Sequence, residues 1–345
     1  MRWLALTAAF LWLALCTTAS MAASFPCPKA STPQEKAICA DANLSALDEQ
    51  LAGAYDSMRK QLSPASAAEI QADQREWLKW LRATCPSKDG TEIASCLQSK
   101  YNERLKDLQT GVLRLGGMAF FQRLKVLVMP DAGPPEPGSL DPGFGLGRFT
   151  WPELDHPTAQ QATWNAAMRA QVLQLSGGPK PRADFSPDMV AGGDENVGYA
   201  VTAANDKMIA VNLKLYWYGY GAPHGNDVSI SFLWLVQQQR PLETADIFSG
   251  SDWVQLLTSR SYQQLRQSSE ADSLYEEGKA HAADAVRNPA NWTLDPTQLE
   301  IAFPVYSVAP RSAGVLSVTF GWAELKPYLT DGFDPAGLPA QRKGQ

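Results

Sequence analysis

Histidine is scarce in this chain: 345 residues hold three, His156, His224 and His281, and no two stand within four positions of each other. That leaves no H-x-x-H or H-x-x-x-H pair, the usual way a helix presents two imidazoles to zinc, so no metal is expected. No G-x-S-x-G stretch offers a nucleophile elbow. GFGLG at 143–147 is followed by no helical pattern, so it is not read as a phosphate loop and no cofactor is expected. Carboxylates are plentiful, but a pair suited to glycoside hydrolysis arises by chance in any such chain. The reading is therefore of a non-enzyme without catalytic residues. Basic charge is also in deficit, with 30 Lys and Arg against 36 Asp and Glu, which argues against nucleic acid. Past residue 22 no stretch approaches the roughly 20 consecutive apolar residues of a spanning helix, so no membrane span is expected in the mature chain.

What is present begins with a leader. Arg2 precedes WLALTAAFLWLALCTTA, and Ser20-Met21-Ala22 gives a small-x-small cleavage pattern, so residues 1–22 read as a signal peptide and the product as periplasmic or secreted. A lipoprotein signal ending at Cys16 is the alternative, disfavoured by the bulk of Leu15 just before it. Without the leader 29 basic residues face 36 acidic ones, a net charge of −7. Residues 109–345 carry 18 basic and 24 acidic residues, nearly all of that excess, and favour a cationic partner. The mature cysteines are Cys27, Cys39, Cys85 and Cys96, separated by 12, 46 and 11 positions. An even number in one exported segment reads as two disulfides, and these spacings lack the short C-x-x-C pairs of zinc sites. Three connectivities are open; Cys27–Cys39 with Cys85–Cys96 joins nearest neighbours.

Residues 23–109 read as a helical bundle. Thr32, Pro33 and Glu35 make a capping-box start with proline at the first helical position. Leu44, Leu47, Leu51, Tyr55, Met58 and Leu62 then form one apolar stripe. Ser63-Pro64 opens a third helix through Trp77 and Leu81 to Cys85, and Ile93, Leu97, Tyr101, Leu105 and Leu108 mark a fourth. The runs FPCPKASTPQEKAICADANLSALDEQLAGAY, QREWLKWLRATC and CLQSKYNERLKDL resemble the lysozyme inhibitor LprI family. Matching features are the Cys27–Cys39 spacing, Glu35, Leu47-Asp48, Gln74-Arg75, Trp77-Leu78, Cys85, Cys96 and Arg104. Trp80-Leu81 departs from the more polar stretch expected before the third cysteine.

The remainder alternates. The junction is placed at 110–117, before the strand-like MAFFQRLKVLVM of 118–129; Asp131 to Gly147, nine of seventeen residues Gly or Pro, reads as an internal loop. GRFTWPEL is a short strand and residues 158–175 a helix. KMIAVNLKLYWYG and NDVSISFLWLV alternate apolar and polar side chains around a Gly-rich loop, which predicts a hairpin. Residues 251–286 look helical; LEIAFPVYSVAP and GVLSVTFGW look like closing strands, and 331–345 a polar tail. The fold class is α+β: the stapled bundle, then over 118–330 a domain with one mainly antiparallel sheet and helices packed on one face. WPEL, WNAAM, YGYGAPHGN, PLETADIF, YSVAPRSAG and WAELKPYL, in that order, resemble the extracellular domain of the RsiV anti-sigma-factor family and the modules preceding the catalytic domain of PdaC-type peptidoglycan deacetylases. No sigma-binding segment or deacetylase domain accompanies them in these residues.

Both resemblances imply lysozyme binding, so the expected partner is lysozyme or a related cationic muramidase, inhibited by occlusion of its cleft. A module that binds peptidoglycan or another exported protein without inhibition is the alternative, and a hydrolase the more distant one. The candidate contact residues lie in and beside WYGYGAPHGND: His224, Pro223, Gly225, Asn226, Tyr218 and Tyr220. A muramidase cleft holds two carboxylates, and an imidazole on a stiff Pro-His loop can donate hydrogen bonds to them. The bland reading is turn chemistry: Gly219, Gly221 and Gly225 supply left-handed backbone and His224 caps a carbonyl. Arg311 is expected in an internal salt bridge, and the tryptophans in the core.

Overall fold

Four helices come first, and side chains named by the sequence start three of them. In this computed structural model the described residues are 23–85, 90–130, 144–176 and 182–342. The expected signal peptide, Cys16 and residues 131–143 of the Pro/Gly-rich stretch lie outside them. Helix α1 (Pro33–Ala40) opens with the full capping box: Thr32 Oγ1 accepts from the Glu35 amide at 3.2 Å, and Glu35 accepts from the Thr32 and Ser31 amides at 2.9 and 2.8 Å. Those amides hold the Glu35 carboxyl down at about 2. Asp41 caps α2 (Ala42–Lys60) and Ser63 caps α3 (Pro64–Thr84), which is followed by α4 (Gly90–Thr110). Disulfides Cys27–Cys39 and Cys85–Cys96 tie the first turn to α1 and the end of α3 to α4.

A seven-stranded sheet follows in chain order: β1 (Val112–Leu115), β2 (Met118–Pro130), β3 (Phe144–Leu154), β4 (Gly193–Ala204), β5 (Met208–Gly219), β6 (Asn226–Leu235) and β7 (Arg240–Pro241). All neighbours are antiparallel except β3 and β4, which pair parallel over Gly147–Phe149 and Glu195–Val197. A parallel pair needs a crossover, and α5 (Trp164–Ser176) lies within it, burying Trp164, Met168 and Val172 completely against the sheet. Strand β3 starts at Phe144, so GLG of 145–147 is strand and the expected loop is shorter than its glycines suggested. Gly145 and Gly147 are needed there for room: a Cβ on Gly145 would meet the Val190 carbonyl at 1.6 Å.

The expectation of one sheet covered on one face is corrected. A second, three-stranded antiparallel sheet orders β10 (Leu316–Gly321), β9 (Gln298–Phe303) and β8 (Trp292–Leu294), accompanied by α6 (Asp252–Leu265), α7 (Gly278–Arg287) and the short α8 (Trp322–Leu325). The expected strand of 299–310 stops at Phe303, where Pro304 cannot donate to a ladder. Strand alternation then serves three cores from the large sheet. Ile209, Val211 and Leu213 of β5 face α5, while Met208 and Ala210 face the C-terminal core. On β2, Leu127 and Met129 face the α5 core, whereas Val126 and Val128 join the core of the N-terminal helices. The helical bundle and the sheet therefore share buried surface across the junction at 110–117.

Polar locks sit in the same contact. Arg123 on β2 meets Asp73 of α3 through Nε at 2.9 Å and Nη2 at 3.1 Å, Glu153 of β3 at 2.9 Å and Glu69 at 2.8 Å; the Leu124 amide adds a bond to Asp73 at 3.1 Å. Burial works against the guanidinium charge, but the bonds and charges of Asp73 and Glu153 more than offset it and raise its pKa. Trp80, the departure from the LprI-like pattern, donates from Nε1 to the Leu127 carbonyl at 2.9 Å. Arg148 of β3 binds Asp107 at 2.6 Å and Glu103 at 2.9 Å on α4.

Residues 331–342, expected within a polar tail, are docked. Phe333 packs on Trp322, with ring centres 5.3 Å apart, and the Gly337 carbonyl accepts from Asn205 at 3.0 Å. Beyond it the Arg342 amide donates to the Thr202 carbonyl at 2.8 Å, at the register shift between Val201 and Ala203 in β4.

Removing one partner of the buried Arg123 clamp strands a charge. Asp73→Ala is expected to lower the unfolding free energy by about 3 kcal/mol in urea titration. Glu69→Ala, whose carboxylate is 53% exposed, is expected to cost under about 1 kcal/mol; equal losses would show that the buried pair holds nothing together.

Candidate functional site

The β5–β6 hairpin closes with Trp217 opposite Asn226, leaving residues 218–225 as its tip. Pro223 and His224 are exposed, and Tyr218, Tyr220, Gly225 and Asn226 are half-buried. Of the three tip glycines only Gly221 has a left-handed backbone, with φ +85. Gly225 serves close approach instead: a Cβ there would stand 2.2 Å from the Tyr216 hydroxyl oxygen and 2.4 Å from its ring, so the ring of Tyr216 lies against the glycine backbone. Tyr218 and Tyr220 stack edge to face at 6.0 Å, and the Tyr220 hydroxyl reaches Asp194 Oδ1 at 2.6 Å with the Phe144 carbonyl at 2.9 Å. Tyr220 is thus a tie from the tip to β3 and β4.

His224 places Nδ1 2.9 Å from the Gly225 carbonyl. A carbonyl only accepts, so Nδ1 carries the proton, and in the neutral ring Nε2 is left as an acceptor. The ring can donate outward only as imidazolium. His281 is engaged elsewhere, on the Ser307 carbonyl at 3.0 Å, and His156 stands exposed in the turn after β3. Among the described residues no three His, Cys, Asp or Glu side chains come together to hold a metal ion.

One step beyond Asn226, Asp227 receives Arg311 Nη2 at 2.8 Å, the internal salt bridge expected of that arginine. Arg311 belongs to a 3-10 turn, Arg311–Ala313, that leads into β10, so the two glycine-bearing turns sit side by side. Asp227, Pro304, Val305 and Val315 line one small hollow between them. Tyr306 and Val315, 50% and 52% exposed, and Tyr216, 41% exposed, are, apart from Trp217, the large apolar side chains left on the surface among the described residues.

Trp217 is the exception among the tryptophans expected in the core: it is 37% exposed and borders a cavity of about 510 Å³. Leu175 and Ser176 at the end of α5, Met189, Leu215 and Glu195 are part of its wall. Sequence reasoning missed Glu195, because an acid ahead of the apolar alternation that begins at Val197 looks like surface. The only sequence signal was alternation carried two residues further back, which puts Glu195 on the inward face with Val197.

Residues 27–108 match the family model of the lysozyme inhibitor LprI, and residues 245–323 match that of DUF3298, a family of unknown function. The chain is similar to a DUF3298-family member from Bacteroides fragilis NCTC 9343, 13% identical with a TM-score of 0.48 over 64% of this chain and 96% of that one. A DUF3298-family protein from Pseudomonas aeruginosa PAO1 is 12% identical, with a TM-score of 0.45 over 61% and 94%. No curated protein matches. The Arg311 turn lies inside the second matched segment, whereas the His224 tip lies outside both.

In Arg311→Ala the hairpin loses its tie to the neighbouring turn. With both partners about one-third exposed the pair contributes about 1 kcal/mol, so amide hydrogen exchange across 220–227 is expected to quicken about fivefold. Unchanged exchange in that peptide would mean that the ion pair does not steady the tip.

Proposed function

We propose that this chain is an exported binding protein that inhibits lysozyme-type muramidases by seating the tip of the β5–β6 hairpin in their cleft. The match of residues 27–108 to the lysozyme inhibitor LprI model carries the reading of partner class. Two disulfides in the same segment fit an oxidising, extracytoplasmic compartment. Among the described residues no helix is long and apolar enough to cross a membrane.

The assignment of the tip rests on its build. Tyr220 clamps it to β3 and β4, the Tyr216 ring lies across Gly225, and the Asp227–Arg311 pair holds its base. A tip fixed in this way loses little conformational entropy on entering a groove. His224 stands at its end beside Pro223, with Nε2 free to turn toward the carboxylates of a muramidase. Because Nδ1–H is committed to the Gly225 carbonyl, the contact gains a charge-assisted hydrogen bond only when the ring is protonated.

Lysozyme is mixed with the mature chain and the release of dye from labelled cell walls is followed. At micromolar excess lysis is expected to slow. His224→Ala is expected to weaken inhibition about ten- to a hundredfold, the worth of one hydrogen bond to a charged group. Undiminished lysis with the parent protein removes the inhibitor reading, leaving a wall-binding module if the protein sediments with sacculi. Full inhibition by His224→Ala moves the contact away from the tip.

A further inference from the structure

The cavity beside Trp217 has a lining that does not explain itself. It opens between the end of α5, the 3-10 turn Pro187–Val190 and the β4–β5 pair. Leu175, Met189, Val190, Leu215 and Val228 make its wall largely apolar. Glu195 and Trp217 are partners in the β4–β5 register and so stand on the same side of the sheet. Glu195 is only 8% exposed, and its Oε1 has no hydrogen-bond partner among the described residues. A buried carboxyl oxygen left in that state is rare and calls for a donor.

The groups around Glu195 do not supply one. Ser176, at the end of α5, lies close enough to favour the Glu195 charge, yet neither its hydroxyl nor Oε1 reaches hydrogen-bond geometry with a described residue. Arg182, the nearby cation, gives Nη1 to Asp188 at 2.7 Å and Ser186 at 3.2 Å, and its buried Nε meets no acceptor among the described residues, Glu195 included. Asp194, the adjacent acid, is taken up by Tyr220 and the Leu146 amide. Burial pushes the Glu195 carboxyl up to about 7, with the Ser176 hydroxyl and the Arg182 charge offsetting it in part. Near neutral pH a cation entering the cavity would hold the group ionised. The indole of Trp217 offers the same guest a π face.

We propose that this cavity binds a primary ammonium group carried on an apolar stem, with the nitrogen donating to Glu195 and the stem lying along Leu175, Met189, Leu215 and Trp217. An anion finds a carboxyl in its way, and a neutral apolar guest leaves Oε1 unpaired. Two sources carry this chemistry: a free alkylamine, or a lysine side chain of a basic protein partner.

The test titrates the mature chain with n-hexylamine, n-hexanol and hexanoate at pH 7.5, reading tryptophan fluorescence and heat. Hexylammonium is expected to bind at least tenfold more tightly than hexanol, and hexanoate least. Glu195→Gln, equal in shape and uncharged, is expected to erase the preference for the amine over the alcohol. In the unaltered protein the preference is expected to shrink at least fivefold between pH 7.5 and 5.5 as Glu195 takes up a proton, a readout that needs no variant. Equal binding of amine and alcohol, or a Glu195→Gln variant that keeps the preference, overturns the proposal. Saturating lysozyme distinguishes the sources: displacement of hexylamine marks the site as a socket for a partner's lysine, and simultaneous binding marks it as a site for a free amine. A chain that never binds lysozyme still gives the amine titration, so this proposal and the inhibitor reading fail separately.

Discussion

At Arg123 the helical bundle, the second strand and the third strand meet on one guanidinium. Asp73 takes two of its nitrogens and Glu153 a third, while the Leu124 amide beside it closes on the same Asp73 carboxylate. A charge buried to this depth is tolerated only where its partners are held in place, and here the partners come from separate segments of chain. Helix α3 must therefore lie along β2 in one register. Trp80 and Leu127 repeat the constraint one end further on, and Arg148 repeats it for α4. The bundle is consequently a layer of the sheet domain, with its apolar stripe completed by Phe121, Leu124 and Val126.

This arrangement bears on what the motif residues mean. Glu35 is occupied in a capping box, Asp48 accepts from Tyr101 at 3.1 Å and from the Ser24 amide at 2.7 Å, and Gln74 accepts from the buried Arg104 at 2.9 Å. Trp77 packs edge-on against Tyr101. Most of the side chains that carry the likeness to lysozyme inhibitors are thus spent on internal scaffolding, whereas Arg75 faces outward. The buried ones specify a framework. A fold and a function are separate properties of such a chain.

Much of the framework was legible because its signals are local. Thr32 and Ser63 announce helix starts through hydrogen bonds spanning three residues, and the alternation of β5 and β6 around a glycine-rich loop announces a hairpin. What escaped was non-local. Strands β9 and β10 are legible as closing strands, but their pairing with the three-residue β8 in a sheet of their own is not, and Pro304 hides the end of β9 inside an apolar run. Trp80 looked like an irregularity because its reason, the Leu127 carbonyl, lies 47 residues away. At the hairpin tip the sequence offered the histidine and the glycines. It did not distinguish Gly221, which needs its backbone freedom, from Gly225, which makes room for the Tyr216 ring. Glu195 escaped for a similar reason: its register with Trp217 is what places it at the cavity.

The clip that Arg342 makes on β4 has a consequence in time. Thr202 lies within the register shift of β4, between strands that pair on either side, and its carbonyl is met by an amide that follows both sheets in the chain. A middle strand of the larger sheet therefore waits for one of its hydrogen bonds until that later segment docks. The bundle, the crossover helix and both sheets can assemble in sequence, but β4 is sealed only by what comes after them.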